Sequence, residues 1–210
     1  MMSSSAPIPE GAPGAGDQAA PQAPLWNIAN ILTMLRIVMV PLFVIAAVVY
    51  HENAPMRWVV LGIFALAMIT DFVDGHLARS RNLITDFGKL MDPIADKLIT
   101  GAAFIILSIW DYIPWWMTLL ILLREWGITI MRFTILKHGA LPANFAGKAK
   151  TMMQSIAIAF CLAPFELLMP QLKWVGIVLV AIAFVLTMWS GWLNVKDGIR
   201  LRREALASGA

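Results

Sequence analysis

Apolar residues fall in six long blocks, at roughly 28–50, 56–77, 90–110, 114–136, 150–169 and 172–193. Each block is close to the ~20 residues that an α-helix needs to cross the hydrocarbon of a bilayer. The breaks are short and polar or proline-marked: HENAP, the stretch from Asp74 to Lys89, DYIP, KHGALPANFAGK and the PFELLMPQ region. Pro55, Pro114 and Pro170 stand where a helix start or turn tolerates proline. The pattern predicts an all-α integral membrane protein with six transmembrane helices. An even number of spans puts both termini on one side.

Composition agrees. Hydrophobic residues make up 60% of the 210 and charged residues only 14%, against about 25% charged in globular domains. Residues 1–24 differ sharply from the rest, being rich in Pro, Ala, Gly and Ser with no aromatic or basic residue after the start. Such a segment buries too little apolar surface to offset the entropy of ordering it, so a disordered tail is expected. It lacks the basic start and apolar middle of a signal peptide. The transmembrane domain is expected over 25–200, followed by a basic tail at 201–210.

The placement of charge orients the spans. Arg79, Arg81, Lys89, Arg132, Lys137, Lys148, Lys150, Lys196, Arg200, Arg202 and Arg203 fall on one face, while only Arg57 and Lys173 fall on the other. Basic loops stay inside, which places both termini in the cytoplasm and the protein in the cytoplasmic (inner) membrane. Arg200, Arg202 and Arg203 suit anionic headgroups of membrane lipids. No basic face fits a nucleic acid. The tryptophans and methionines read as packing, the single Cys161 as a small buried hydrophobe, and the histidines have no metal-ligand spacing.

One segment breaks the apolar pattern: DFVDGHLARSRNLITDFGKLMDPIADK, Asp71 to Lys97. Charges at membrane depth are costly and usually functional. Asp71 and Asp74 share a helix face, as do Asp92 and Asp96. A short loop between neighbouring antiparallel helices brings the two faces together at the cytoplasmic boundary. Gly75 and Ala78 leave room for a ligand to approach the backbone beside Asp71 and Asp74, and Gly88 precedes Asp92 by one turn. Four clustered carboxylates need counter-charge, and an all-oxygen donor set favours two Mg²⁺ or Mn²⁺ ions. Two such ions suit in-line displacement at phosphorus, with Arg79 placed to take phosphate oxygens.

The spacing Asp71-x2-Asp74-Gly75-x2-Ala78-Arg79-x8-Gly88-x3-Asp92-x3-Asp96 resembles the complete signature of the CDP-alcohol phosphotransferases. Within that family the chain is most similar to the bacterial phosphatidylglycerophosphate synthases, over roughly residues 25 to 200. The pieces that carry this are NIANILTMLR, DPIADK, REWGITIMR and GKAKT; Ala29 departs from the proline common at its position. The resemblance implies six helices around a cytoplasm-facing cavity and usually a homodimer. It also implies displacement of CMP from CDP-diacylglycerol by an alcohol. By the same resemblance Asp71, Asp74 and Asp92 are metal ligands, and Asp96 is near the metals and the general base.

Glycerol 3-phosphate as acceptor requires a second anion site, for which Arg36, Arg124, Arg132, Lys148 and Lys150 are candidates. Arg36 lies inside the first span, where either a substrate phosphate or an aspartate would satisfy it. Arg124 can instead pair with Glu125 between helices, and Lys148 and Lys150 can serve as positive-inside anchors. Asn30 and Thr33 share a face with Arg36 and are candidates for nucleotide contact or interhelical hydrogen bonds. Two alternatives stay open: the same reaction with another acceptor (inositol phosphate or phosphatidylglycerol), and a divalent-cation transporter. A transporter should carry its carboxylates near the bilayer midplane on broken helices, whereas these cluster at one interface.

Overall fold

A computed structural model of the chain describes residues 27–80, 85–135 and 145–207. The tail expected over residues 1–24 lies outside them. The described residues are helical with no strand, in seven elements: α1 (Ile28–Val49), α2 (Ala54–Ser80), α3 (Asp86–Ile109), α4 (Trp115–Ile135), α5 (Phe145–Leu162), α6 (Phe165–Leu168) and α7 (Leu172–Ala207). Six are long, and each coincides with one of the apolar blocks; α6 is a single turn that closes the fifth.

Among the described residues, four stretches are long and apolar enough to cross a membrane: Asn30–Val49, Ala54–Gly75, Gly147–Leu168 and Leu172–Arg200. The protein is therefore multi-pass. The two long helices that fall short are α3 and α4. They carry Asp92, Asp96 and Lys97, and Arg124, Glu125 and Arg132. These charges lower their hydropathy while leaving them helical. α7 runs further than its apolar block, to Ala207. Its 36 residues make a rod of about 54 Å, well beyond the ~30 Å of hydrocarbon.

Each long helix buries one stripe. In α1 the buried positions run Asn30, Thr33, Arg36, Met39, Phe43 and Ala47, polar over the first half and apolar over the second. The opposite face, with Ile31, Leu35, Val38, Leu42 and Ile45, is exposed and suits lipid. α1 packs against α2 and α3, and α7 packs against α5 and α4. The core between them holds Phe43, Val60, Phe64, Ile99, Phe104, Leu107, Ile158 and Leu162. Small polar pairs tie helices together where hydrocarbon offers no partner. Ser108 and Thr118 hydroxyls lie 2.6 Å apart between α3 and α4, and Gln154 Nε2 donates to Thr187 Oγ1 at 2.9 Å between α5 and α7. Cys161 is free and buried, against Gly176, where any Cβ would stand 2.8 Å from its Sγ.

Arg57, near the start of α2, is buried, with 1% of its surface exposed. It donates to the carbonyls of Cys161, Leu162 and Ala163 at 2.6, 3.2 and 3.3 Å, and pairs with Glu166. Its guanidinium also lies 4.4 Å from the Trp110 ring centroid. The last carbonyls of a helix have no partner within the helix and carry partial negative charge. Arg57 supplies both donors and charge at the end of α5. Nearby in the α3–α4 turn, burial and the Glu166 carboxylate push the Tyr112 phenol above its ordinary range. Arg57 and Asp74 are 17 positions apart on α2, or about 25 Å. The aspartates therefore occupy the other end of the bundle.

Candidate active site

The site is built on the polar half of the α1 stripe. Asn27 caps α1, its side chain accepting from the Asn30 backbone N–H at 2.9 Å. Thr85 caps α3 in the same way, accepting from Gly88 N–H at 3.0 Å, and its hydroxyl donates to Asn30 Oδ1 at 3.0 Å. One helical turn on, Thr33 donates to Asp92 Oδ1 at 2.6 Å. One turn further, Arg36 reaches α2, with Nη1 2.6 Å from Asp71 Oδ1 and Nη2 hydrogen-bonded to Asp74. Three residues of α1, each three apart, thus hold the start of α3, Asp92 and the Asp71–Asp74 pair.

Arg36 is fully buried. It sits on Asp71 and Asp74, the second of the two partners that would satisfy it. Two carboxylates at membrane depth leave a buried guanidinium no better partner, and one planar fork serves both. Asp74 is buried with it, while the Asp71 side chain stays 40% exposed.

Gly88 has a packing role. A Cβ there would stand 2.9 Å from Asn30 Oδ1 and 3.2 Å from Thr85 Oγ1. Only a glycine lets α3 begin so close to α1, so the space above it is occupied by Asn30 and Thr85. Thr85 was not among the residues singled out from sequence. Its signal was present, a Thr just before a helical run.

Asp96 sits one turn past Asp92 and meets Lys97 Nζ at 2.6 Å. Asp71 lies within electrostatic range of Asp96, Asp74 and Asp92, so the four acids share one neighbourhood. Among the described residues, however, no three His, Cys, Asp or Glu side chains are already arranged to hold one ion. Arg36, Thr33 and Lys97 take the carboxylates instead. The donor set, four carboxylates with neither His nor Cys, still fits hard divalent cations.

The remaining cations divide. Arg124 pairs with Glu125 at 2.9 Å and donates to Ser190 Oγ at 2.9 Å. Lys150 is buried and lies 2.5 Å from the same Glu125 oxygen, so it is no surface anchor. Lys148 is exposed. The side chains of Ala78, Arg79 and Arg132 lie outside the described residues, while Gly75 is half-buried on α2 between the acids and the helix end.

The sequence that builds this site resembles those of known proteins. The sequence model of the CDP-alcohol phosphatidyltransferases matches residues 26–189. The chain belongs to that family. Its relatives include a protein named probable phosphatidylglycerophosphate synthase from Mycobacterium tuberculosis strain CDC 1551, 44% identical over 186 residues and covering 87% of each chain. A CDP-diacylglycerol–glycerol-3-phosphate 3-phosphatidyltransferase of Bacillus subtilis strain 168 is 38% identical over 80% of this chain and 93% of its own. One of the same name from Rickettsia felis is 37% identical over 82% and 91%. As a CDP-alcohol phosphatidyltransferase the chain is an enzyme, which sets the transporter alternative aside. The matched span begins just before α1 and ends within α7, enclosing every helix that contributes to the site.

Proposed function

We propose that this enzyme transfers the phosphatidyl group of CDP-diacylglycerol to sn-glycerol 3-phosphate, giving phosphatidylglycerol phosphate and CMP. The observation that carries the reading is the gathering of Asp71, Asp74, Asp92 and Asp96 at one end of α2 and α3, at the family spacing. The names of relatives that cover most of this chain support it.

Two Mg²⁺ or Mn²⁺ ions held by Asp71, Asp74, Asp92 and Asp96 supply charge neutralisation at the diphosphate. Gly75 and Ala78 lie along the path of the CDP moiety, with Asn30, Thr33 and the closely packed Gly88 behind it and Arg79 on phosphate oxygens. Asp96 takes the proton from the acceptor hydroxyl as its oxygen attacks the phosphorus next to the lipid. The bond from that phosphorus to the oxygen of CMP breaks, and CMP leaves as the phosphate anion. Positioning and charge supply most of the rate in phosphoryl transfer. With Arg36 committed to Asp71 and Asp74, the acceptor phosphate falls to Arg124, Lys150, Arg132 and Lys148.

In this reading all six long helices span the inner membrane around a cytoplasm-facing cavity, both termini are cytoplasmic, and the enzyme is a homodimer. The catalytic domain is 25–200, between a disordered tail and a basic end. The test is CMP release by purified enzyme given CDP-diacylglycerol and a panel of alcohols, with and without chelator. Turnover requiring divalent metal and glycerol 3-phosphate is expected. Preference for another acceptor, or full turnover in excess chelator, would overturn the corresponding part.

A further inference from the structure

α7 carries one unbroken exposed stripe. Trp174, Val178, Ile182, Val185, Trp189 and Trp192 recur at intervals of three and four and are all exposed, so they share one face of the helix. The opposite face, with Val180, Ala183, Thr187, Ser190 and Asn194, is buried where α7 packs against α5 and α4. The stripe is graded along its length. Aliphatic side chains fill its middle and tryptophans stand at both ends. Lys196, also exposed, follows one turn past Trp192 on the same face. Trp174 and Trp192 are 18 positions apart, or about 27 Å along the axis, close to the ~30 Å of hydrocarbon in a bilayer. Indole rings collect at the two headgroup levels, where their apolar body meets lipid and their N–H meets water or ester oxygens. A protein partner imposes no such spacing between aromatic ends; a bilayer does.

The two ends of the stripe coincide with the two ends of the bundle. Exposed Trp58 near the start of α2, and Trp115 and Trp116 at the start of α4, accompany Trp174 at the first. Asp74 lies 16 positions past Trp58, and Trp189 lies 15 past Trp174, about 24 and 22 Å along their axes. The acids therefore stand level with Trp189. Its neighbour Ser190 accepts from Arg124 at 2.9 Å, and Arg124 pairs with Glu125, which Lys97 and Lys150 also approach. From this geometry we infer that Trp189, Trp192 and Lys196 form a docking surface for the headgroup region of the leaflet at the catalytic end, and that this surface holds the site at that depth. The partner is a phospholipid surface: its ester carbonyls accept from the indole N–H groups, and its phosphates meet the Lys196 ammonium. At that height the diphosphate of a membrane-bound lipid nucleotide lies level with Asp71 and Asp74. The inference goes beyond the proposed function and does not depend on which alcohol is the acceptor.

Spin labels test this in full-length enzyme reconstituted in vesicles of phosphatidylcholine and phosphatidylglycerol. Cys161→Ala removes the native thiol, and Val185→Cys, Trp189→Cys, Trp192→Cys or Lys196→Cys supplies one labelling position at a time. Collision of the label with oxygen, which partitions into lipid, is compared with collision with a water-soluble nickel chelate. Depth should fall by about 10 Å from residue 185 to residue 192, with the phosphate level reached between residues 189 and 196 and the chelate dominating at 196. Exclusion of both reagents along the stripe would mean that another protein chain covers it, and chelate access at residue 185 would place the stripe in water; either overturns the inference. Trp189→Leu combined with Trp192→Leu keeps the stripe apolar and removes the indoles. Its apparent KM for CDP-diacylglycerol in vesicles should rise several-fold while KM for water-soluble glycerol 3-phosphate holds. Two unchanged KM values would overturn the depth-setting role. Wild-type enzyme that ignores glycerol 3-phosphate would leave the depth profile as it is and overturn only the proposed function.

Discussion

Gly88 and Asn30 meet where α3 begins against α1, so closely that a methyl group on Gly88 would stand 2.9 Å from Asn30 Oδ1. Gly88→Ala must push α3 away from α1 or break the Thr85–Asn30 hydrogen bond, and either displaces Asp92 and Asp96. Overpacking of this kind typically costs about 1–3 kcal/mol. We expect lower thermal stability in detergent and a clear loss of CMP release. Gly62→Ala is the control, because nothing lies within 4 Å of its added Cβ and a helical Gly→Ala change usually stabilises by about 0.4–1 kcal/mol. Equal behaviour of the two variants would remove the packing role assigned to Gly88.

Arg36→Met leaves Asp71 and Asp74 facing each other with no cation between them. Breaking a buried pair from one side costs about 3–5 kcal/mol, and the partly exposed Asp71 points to the low end. Arg36→Lys keeps the charge but cannot offer one planar fork to two carboxylates, so it should recover only part. Added Mn²⁺ should raise the melting temperature of Arg36→Met more than that of wild type, since the ion supplies the missing charge. A methionine variant that melts with wild type and ignores Mn²⁺ would contradict this.

Arg57→Leu should separate stability from chemistry. Arg57 closes the end of α5 and pairs with Glu166, about 25 Å along α2 from Asp74. Its loss should cost about 3 kcal/mol, or roughly 6–12 °C in Tm at this chain length. KM for both substrates should hold in the fraction that remains folded. An altered KM at full stability would mean that this end of the bundle reaches the site.

The helices and the aspartate constellation were legible because each rests on local spacing: block length for the spans, intervals of three and four for the acids. The partners were not. Arg57 and Glu166 are 109 positions apart, and Arg57 read only as a stray charge on the far face. The choice of Arg36 between phosphate and aspartate depended on the angle at which α1 meets α2, which periodicity does not encode. Glu125 read as half of a pair with Arg124. That it also collects Lys97 and Lys150 follows from three helices meeting, a tertiary fact. Gly88 was read as standing one turn before Asp92; its close approach to Asn30 of α1 is set by how α1 and α3 pack, which spacing does not show.

Asp96→Asn distinguishes the base from the ligands. The substitution keeps the size and one oxygen, so α3 should pack as before, and Thr100 can still donate to the backbone carbonyl of residue 96, a bond of 2.7 Å in the wild type. An amide does not accept a proton at neutral pH. Loss of a general base typically lowers the rate about 10²–10⁴-fold, and kcat should fall by that order. Asp71, Asp74 and Asp92 keep their α1 partners Arg36 and Thr33, so binding of CDP-diacylglycerol in the presence of Mg²⁺ should survive. Asp71→Asn should behave differently, weakening metal and nucleotide binding together with turnover. The measurement is lipid-nucleotide binding to each variant beside its kcat. Normal binding with near-normal turnover by Asp96→Asn would move the proton to another acceptor.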